Sequence, residues 1–145
     1  MQLTLEDIGG FLKKVPLFRG LSDSHLKRIA RRVREREFTE GDAVLKQGEL
    51  GIGLFVIVDG DAKVIRKLDD GTERELDTLT NTDFFGELSL LDDASRVASI
   101  VAVTKLRCLA LTKLDFLEEL DREPQMAVTM LREMAMRFRR IVSSM

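Results

Sequence analysis

Between residues 83 and 100 the chain reads Asp83-Phe84-Phe85-Gly86-Glu87-Leu88-Ser89-Leu90-Leu91, then Asp92-Asp93-Ala94-Ser95, then Arg96-Val97-Ala98-Ser99-Ile100. These residue types suit one task, holding the phosphate ester of a sugar. A short helix from Gly86 to Leu91 would direct unsatisfied backbone N–H groups out of its first turn. Gly86 has no Cβ, so a ligand can come close to the main chain there. Arg96, at the head of the next strand, offers a fork of donors to phosphate oxygens, while Glu87 accepts from hydroxyls. The bland alternative is that Glu87 and Arg96 form a structural ion pair, as many Glu and Arg side chains do in ordinary proteins.

Other chemistries lack their residues. Cys108 is the only cysteine and His25 the only histidine, which removes an intrachain disulfide, a Cys/His zinc site and a Cys-ligated iron–sulfur cluster. A metal-dependent β-roll enzyme would need several His ligands, so no catalysis is expected. Cys108 reads as a buried small hydrophobe and His25, in the first turn of a helix, as a surface residue. Asp92-Asp93 read as solvated acids. With 23 Lys+Arg against 25 Asp+Glu the chain has no basic excess to attract nucleic acid. The basic run Lys27, Arg28, Arg31 and Arg32 reads as the outer face of an amphipathic helix. No apolar run approaches the ~18 residues of a membrane span, and Glu6 and Asp7 spoil a secretory signal; a cytoplasmic protein is expected.

The elements that must position the segment follow from periodicity. At 145 residues one domain is expected, burying roughly 68–70% of its unfolded surface. Thr4 caps a short helix through Ile8 that Gly9-Gly10 should interrupt. Ser22 or Asp23 caps a second, with Leu26, Ile29, Ala30 and Val33 on one stripe. From about Glu35 to Leu111 the runs become β-like: Ala43–Lys46, Leu54–Val58, Ala62–Leu68, Glu73–Leu79 and Val97–Leu111, the last broken near Thr104-Lys105. Asp59-Gly60 and Asp70-Gly71 give the sharpest hairpin signals, in type I′ turns. Gly48, Gly51 and Gly53 read as turn and bulge residues. Thr112 with Asp115 caps a helix bearing Leu114, Leu117 and Leu120, and Pro124 opens another. There Ala127, Leu131, Met134, Phe138, Ile141 and Met145 form an a/d seam that serves equally for packing on the β domain or for pairing with a second subunit.

The run Phe-Gly-Glu-Leu-Ser-Leu-Leu through Arg-Val-Ala-Ser-Ile resembles the phosphate-binding cassette of the cyclic-nucleotide-binding domain family. That family includes the sensory halves of catabolite-activator-type regulators and the regulatory subunits of protein kinase A. Val15-Pro16-Leu17-Phe18-Arg19-Gly20-Leu21, Gly41, Gln47-Gly48, Leu54 to Gly60 and Asp115-Phe116 are similar as well. The resemblance implies an α+β, mainly β fold: an antiparallel, jelly-roll-like β-roll (35–111, cassette 85–99) flanked by N-terminal helices (1–34) and two C-terminal helices (112–145). It implies that Arg96 neutralises a cyclic phosphate and Glu87 accepts from the ribose 2′-hydroxyl, with further contacts from the backbone of Gly86, Leu88, Ser89 and Ala98.

Val97 stands where a Thr would favour guanine, so the implied ligand is cAMP before cGMP, with no cofactor. Asn81-Thr82 and Ser95 depart from the family's usual Gly and Pro. The resemblance further implies a sensor whose ligand repositions Leu90 and Leu91 against the C-terminal helices, with Arg132, Met134, Met136 or Phe138 closing over the base. A homodimer through the last helix and an unidentified effector are the expected partners. No helix-turn-helix follows the closing helix, so the chain reads as a stand-alone sensor or a fragment of a longer regulated protein. The competing reading is an interaction module of the same fold that no longer binds nucleotide.

Overall fold

The computed structural model describes residues 2–49, 53–87, 91 and 96–145. Helix α1 (Leu5–Leu12), a 3₁₀ turn (Pro16–Phe18) and α2 (Asp23–Arg32) precede strands β1 (Arg34–Phe38), β2 (Ala43–Leu45), β3 (Gly53–Asp59), β4 (Ala62–Lys67), β5 (Glu73–Leu79), β6 (Phe84–Phe85), β7 (Ser99–Ala102) and β8 (Leu106–Thr112). Helices α3 (Lys113–Arg122) and α4 (Pro124–Ser143) follow. The strands form two antiparallel four-stranded sheets, in the orders β1-β8-β3-β6 and β2-β7-β4-β5. This is the helix-flanked antiparallel β-roll expected from the sequence.

Strand β3 explains the layering. Residues 53–57 are all buried, and because side chains alternate across a strand they divide between two cores. Phe55 and Ile57 meet Leu45, Leu79, Phe85, Ile100, Leu106 and Cys108 between the sheets. Leu54 and Val56 join Leu12, Leu17, Phe18, Ile29, Phe116, Met126 and Met130 in a second core under the helices. The continuous apolar run at 54–58 is thus a strand covered on both faces. Burial pushes the Cys108 thiol up to about 12, an inert core group as expected.

Several local expectations are corrected. Helix α1 runs through Gly9-Gly10 to Leu12, because the Thr4/Asp7 capping box and the burial of Ile8 and Leu12 outweigh two weak helix formers. Asp59-Gly60 links strands of different sheets and makes no hairpin. Asp70-Gly71 does lie in one, but as a turn closed by the Gly71 N–H donating to the Leu68 carbonyl (2.9 Å). Only Gly71 of that pair has positive φ (87°), so the turn is not type I′. The strand β1, Arg-Glu-Arg-Glu-Phe, carried too little apolar pattern to be named.

The helical layer is tied by ions that the sequence reading placed in solvent. His25 is buried, with Nε2 2.6 Å from Glu119 Oε2. Arg28 reaches Glu119 (3.1 Å), and Arg32 reaches Glu118 (2.9 Å) and Asp115 (3.3 Å), so only Lys27 and Arg31 of the basic run face outward. Burial by itself would raise the Glu119 carboxyl, but hydrogen bonds from Arg28 and His25 hold it below the usual carboxylate range. The buried face of α3 is therefore Phe116 and Glu119, while Leu114 is exposed. His25 also lies 3.4 Å from Glu123, the non-helical residue between α3 and α4.

Thr82 adopts φ 74°, the left-handed region that costs a β-branched residue of order 1–3 kcal/mol. Its turn is held in place: the Thr82 N–H donates to the Ile57 carbonyl (2.8 Å), and the Ile57 N–H to the Asp83 carbonyl (2.9 Å). Thr82 belongs to the Asn81-Thr82 pair that departs from the family's usual glycine. Thr82→Gly relieves the strain but adds unfolded-state freedom worth roughly 0.5–1 kcal/mol. The expected net effect is a gain of about 1 kcal/mol in denaturant unfolding. A loss of stability would show that the Thr82 backbone carries no strain.

Candidate functional site

Strand β6 brings the cassette into place. Phe85 pairs with Phe55 and Phe84 with Val56. The Phe85 ring stacks on Phe55 (centroids 5.2 Å apart) between the sheets, while Phe84 points into the helical core. With both rings anchored, Gly86 leaves the sheet at φ 93°, and a Cβ added there would stand 2.7 Å from the Gly53 carbonyl oxygen. Glycine is required on both counts.

Beyond Gly86 lies a cavity of about 300 Å³, within the range of small-molecule sites. The β-roll contributes Leu45, Val64, Asp77, Leu79, Phe85 and Ile100, and the cassette Gly86, Glu87, Arg96, Val97 and Ala98. Helix α4 closes it with Met134, Arg137, Phe138 and Ile141. Five of the seven expected site residues therefore meet at one cavity. Leu88 and Ser89 lie outside the described residues, as do Leu90, Asp92, Asp93, Ala94 and Ser95. Of the expected helix from Gly86 to Leu91, Glu87 and Leu91 are helical and Gly86 is not. Val97 is on the rim, 57% exposed, where its carbonyl accepts from Arg66 Nη1 (2.6 Å).

Arg96 is 8% exposed. Its backbone is pinned at both ends, with the Arg96 N–H donating to the Glu49 carbonyl and the Gly48 N–H to the Arg96 carbonyl, each at 2.8 Å. The guanidinium is turned toward Gly86, with Nη1 3.5 Å from where a Cβ on that glycine would stand. Nη2 is buried with no hydrogen-bond partner among the described residues. Burial disfavours its charge, with Glu87 and Glu49 opposing, yet a guanidinium stays protonated in proteins. A fixed cation with an unused donor at a cavity wall is suited to an anion.

Glu87, 6% exposed, makes no hydrogen bond or ion pair with Arg96 among the described residues, so the bland reading of these two is not what the structure holds. Its partner is Arg137 Nη1 of α4, at 3.4 Å from Oε1. Arg137 also lies over the Phe84 ring, 4.3 Å from its centroid, a favourable cation–π placement. Burial pushes the Glu87 carboxyl above its ordinary value, against the pull of Arg137 and Arg96. One step along α4, Arg140 makes a two-pronged contact with Asp77 of β5 (3.3 and 3.0 Å).

Arg137 was missed by the sequence reading. Of the residues considered for closing the cavity, Met134 and Phe138 line it, while Arg132 and Met136 are exposed. The available signal was spacing: 134, 137, 138 and 141 share one helix face. The expected a/d seam divides accordingly. Met134 and Ile141 face the cavity, Leu131, Phe138 and Met145 are largely exposed, and Ala127 is half-buried, while the side chains of α4 that enter the core are Met126 and Met130, which lie outside that seam.

Residues 35–123, more than half of the chain, match the family model described as "Cyclic nucleotide-binding domain". A cAMP-dependent protein kinase regulatory subunit from Mycosarcoma maydis is 45% identical over 63% of this chain and 17% of its own length. Among solved structures, the catabolite activator protein of Thermus thermophilus superposes with TM-score 0.77 at 35% identity, covering 86% of this chain and 58% of that one. The regulatory subunit of a cAMP-independent protein kinase A from Trypanosoma cruzi, bound to guanosine, gives TM-score 0.79 at 30% identity, with coverage of 86% and 43%. This chain thus spans less than two thirds of each relative's length. The matched segment holds the strands and the cassette that line the cavity, while α4, which closes it, lies beyond that segment; the chain belongs to the cyclic nucleotide-binding domain family.

Proposed function

We propose that this domain binds a 3′,5′-cyclic nucleotide, cAMP before cGMP, and reports its occupancy through helix α4. The observation that carries the reading is the buried Nη2 of Arg96, unpartnered among the described residues, on a guanidinium whose Nη1 is turned toward Gly86. That donor would take an equatorial phosphate oxygen, and Glu87 the ribose 2′-hydroxyl. Val97, with no hydroxyl for a guanine amine, supports adenine. The relatives are regulatory subunits and transcriptional regulators, which supports a sensor and not an enzyme. Among the described residues no helix is long and apolar enough to cross a membrane.

The guanosine-bound relative motivates a second reading, in which a neutral nucleoside fills the cavity. Arg96 separates the two, because a ligand without phosphate leaves its donor unused. In calorimetric titration, wild-type protein is expected to bind cAMP, and Arg96→Ala to weaken that binding by roughly 2–5 kcal/mol, the cost of removing one partner from a buried charge pair. Equal cAMP binding by both proteins would overturn the role of Arg96. Guanosine binding unaffected by Arg96→Ala, with no binding of cAMP, would favour the nucleoside.

Signalling follows from a shared group. Glu87 is the carboxylate held by Arg137 of α4, so a ligand hydroxyl arriving there changes the surroundings of the residue that fixes the helix. A ligand shifts an equilibrium only by binding its two states unequally, and Glu87 gives it the means. Hydrogen-exchange protection within residues 112–145 is expected to change on adding cAMP. Identical protection throughout that segment, with ligand bound, would refute the coupling.

The proposal extends to a homodimer. Leu131, Phe138 and Met145 are 65%, 69% and 78% exposed and recur every seven residues, the spacing of a helix-pairing seam, so the proposed occupant of that face is α4 of a second copy. Sedimentation over a range of concentrations is expected to show mass rising toward twice that of one chain. A mass equal to one chain at every concentration would exclude the pairing.

A further inference from the structure

The cavity has a second polar feature that the phosphate and ribose leave unused. Glu87, Arg96 and Arg137 gather around Gly86. Among the described lining residues the one other charged side chain is Asp77, on β5 beside Val64. It neighbours the aliphatic wall of Leu79 and Ile141. Its side chain is only 10% exposed. Arg137 and Arg140 are three residues apart on α4, an axial step of about 4.5 Å. Since Arg137 holds Glu87 and Arg140 holds Asp77, Asp77 stands about one helical turn beyond the ribose end, where the base would lie.

The hydrogen bonds of Asp77 limit what it can accept. Oδ1 takes the Thr78 N–H (3.0 Å) and Arg140 Nε–H (3.3 Å), and Oδ2 takes Arg140 Nη2–H (3.0 Å). A carboxylate has about four acceptor positions, so one remains, on Oδ2. Arg140 does not line the cavity and offers the base no donor there. A 6-aminopurine presents a single amine that can fill the free position. Guanine presents two adjacent donors, which need both oxygens, and a 6-oxo group whose lone pairs a carboxylate repels.

We infer that Asp77 reads the base, its one free acceptor position selecting a 6-aminopurine and Arg140 enforcing that choice by occupying the rest of the carboxylate. This rests on the cavity being a cyclic-nucleotide site. The test is titration of wild type, Asp77→Ala and Arg140→Ala with cAMP, with cGMP and with the cyclic monophosphate of purine riboside, which lacks the amine. Wild type is expected to favour cAMP over the amine-free analogue by about tenfold, as for one hydrogen bond to a charged group. Asp77→Ala should bind those two alike, its binding of the analogue serving as the folding control. Arg140→Ala should gain about fivefold in cGMP relative to cAMP, because it frees both oxygens. An unchanged cAMP-to-analogue ratio in Asp77→Ala, or no relative gain for cGMP in Arg140→Ala, would overturn the inference. If wild type binds none of the three, the cavity reading itself fails and this role with it.

Discussion

Keeping a guanidinium and a carboxylate out of water, near each other but not joined, is the constraint on which this structure turns. Each buried charge costs several kcal/mol unless partners replace its hydration. A direct Glu87–Arg96 pair would be the cheapest arrangement, and it would also leave neither group for a ligand. The fold instead fixes Arg96 by its own backbone, through Gly48 and Glu49, and gives Glu87 to an arginine from a different element. The elevated carboxyl of Glu87 records that this partner compensates its burial only in part.

Rigid placement of the cassette has its origin in the apolar residues of strand β3. Because β3 is covered on both faces, its register cannot slip by one residue without exchanging the sandwich and helical cores. β6 is only two residues long, yet it borrows that register, with Phe84 and Phe85 committed to opposite cores. The glycine that follows therefore starts from a fixed point, and its approach to the Gly53 carbonyl leaves no room for drift. The strained Thr82 turn on the other side of β6 is a cost the chain bears to enter that short strand at the right place.

What could be read from the chain depended on how local each signal was. The apolar runs of β3 and β8, the caps at Thr4, Ser22 and Thr112, and the cavity-lining pieces Gly86-Glu87 and Arg96-Val97-Ala98 are each contiguous, and these were legible. The cap at Ser22, for example, is borne out by the His25 N–H donating to its hydroxyl at 3.1 Å. His25 itself was misjudged, since its partner Glu119 lies 94 residues away, and a single polar residue carries no mark of a distant counter-charge. Arg137 with Glu87 and Arg140 with Asp77, 50 and 63 residues apart, were hidden for the same reason. Strand β1 failed differently: its alternation of charges reflects edge pairing with β8 and ion pairs such as Arg107 with Glu35, not apolar burial.

The ionic layer joining α2 to α3 has a mechanical consequence for α4. Glu119 and Glu123 are gripped by His25 and Arg28 just before Pro124, so the base of α4 is clamped while its distal turns rest on the cavity rim. Twenty residues of helix make a rod about 30 Å long. Pivoting about its base by some ten degrees, such a rod carries its tip through about 5 Å. A rod clamped at its base and free at its tip is the geometry that the proposed coupling of the cavity to α4 requires.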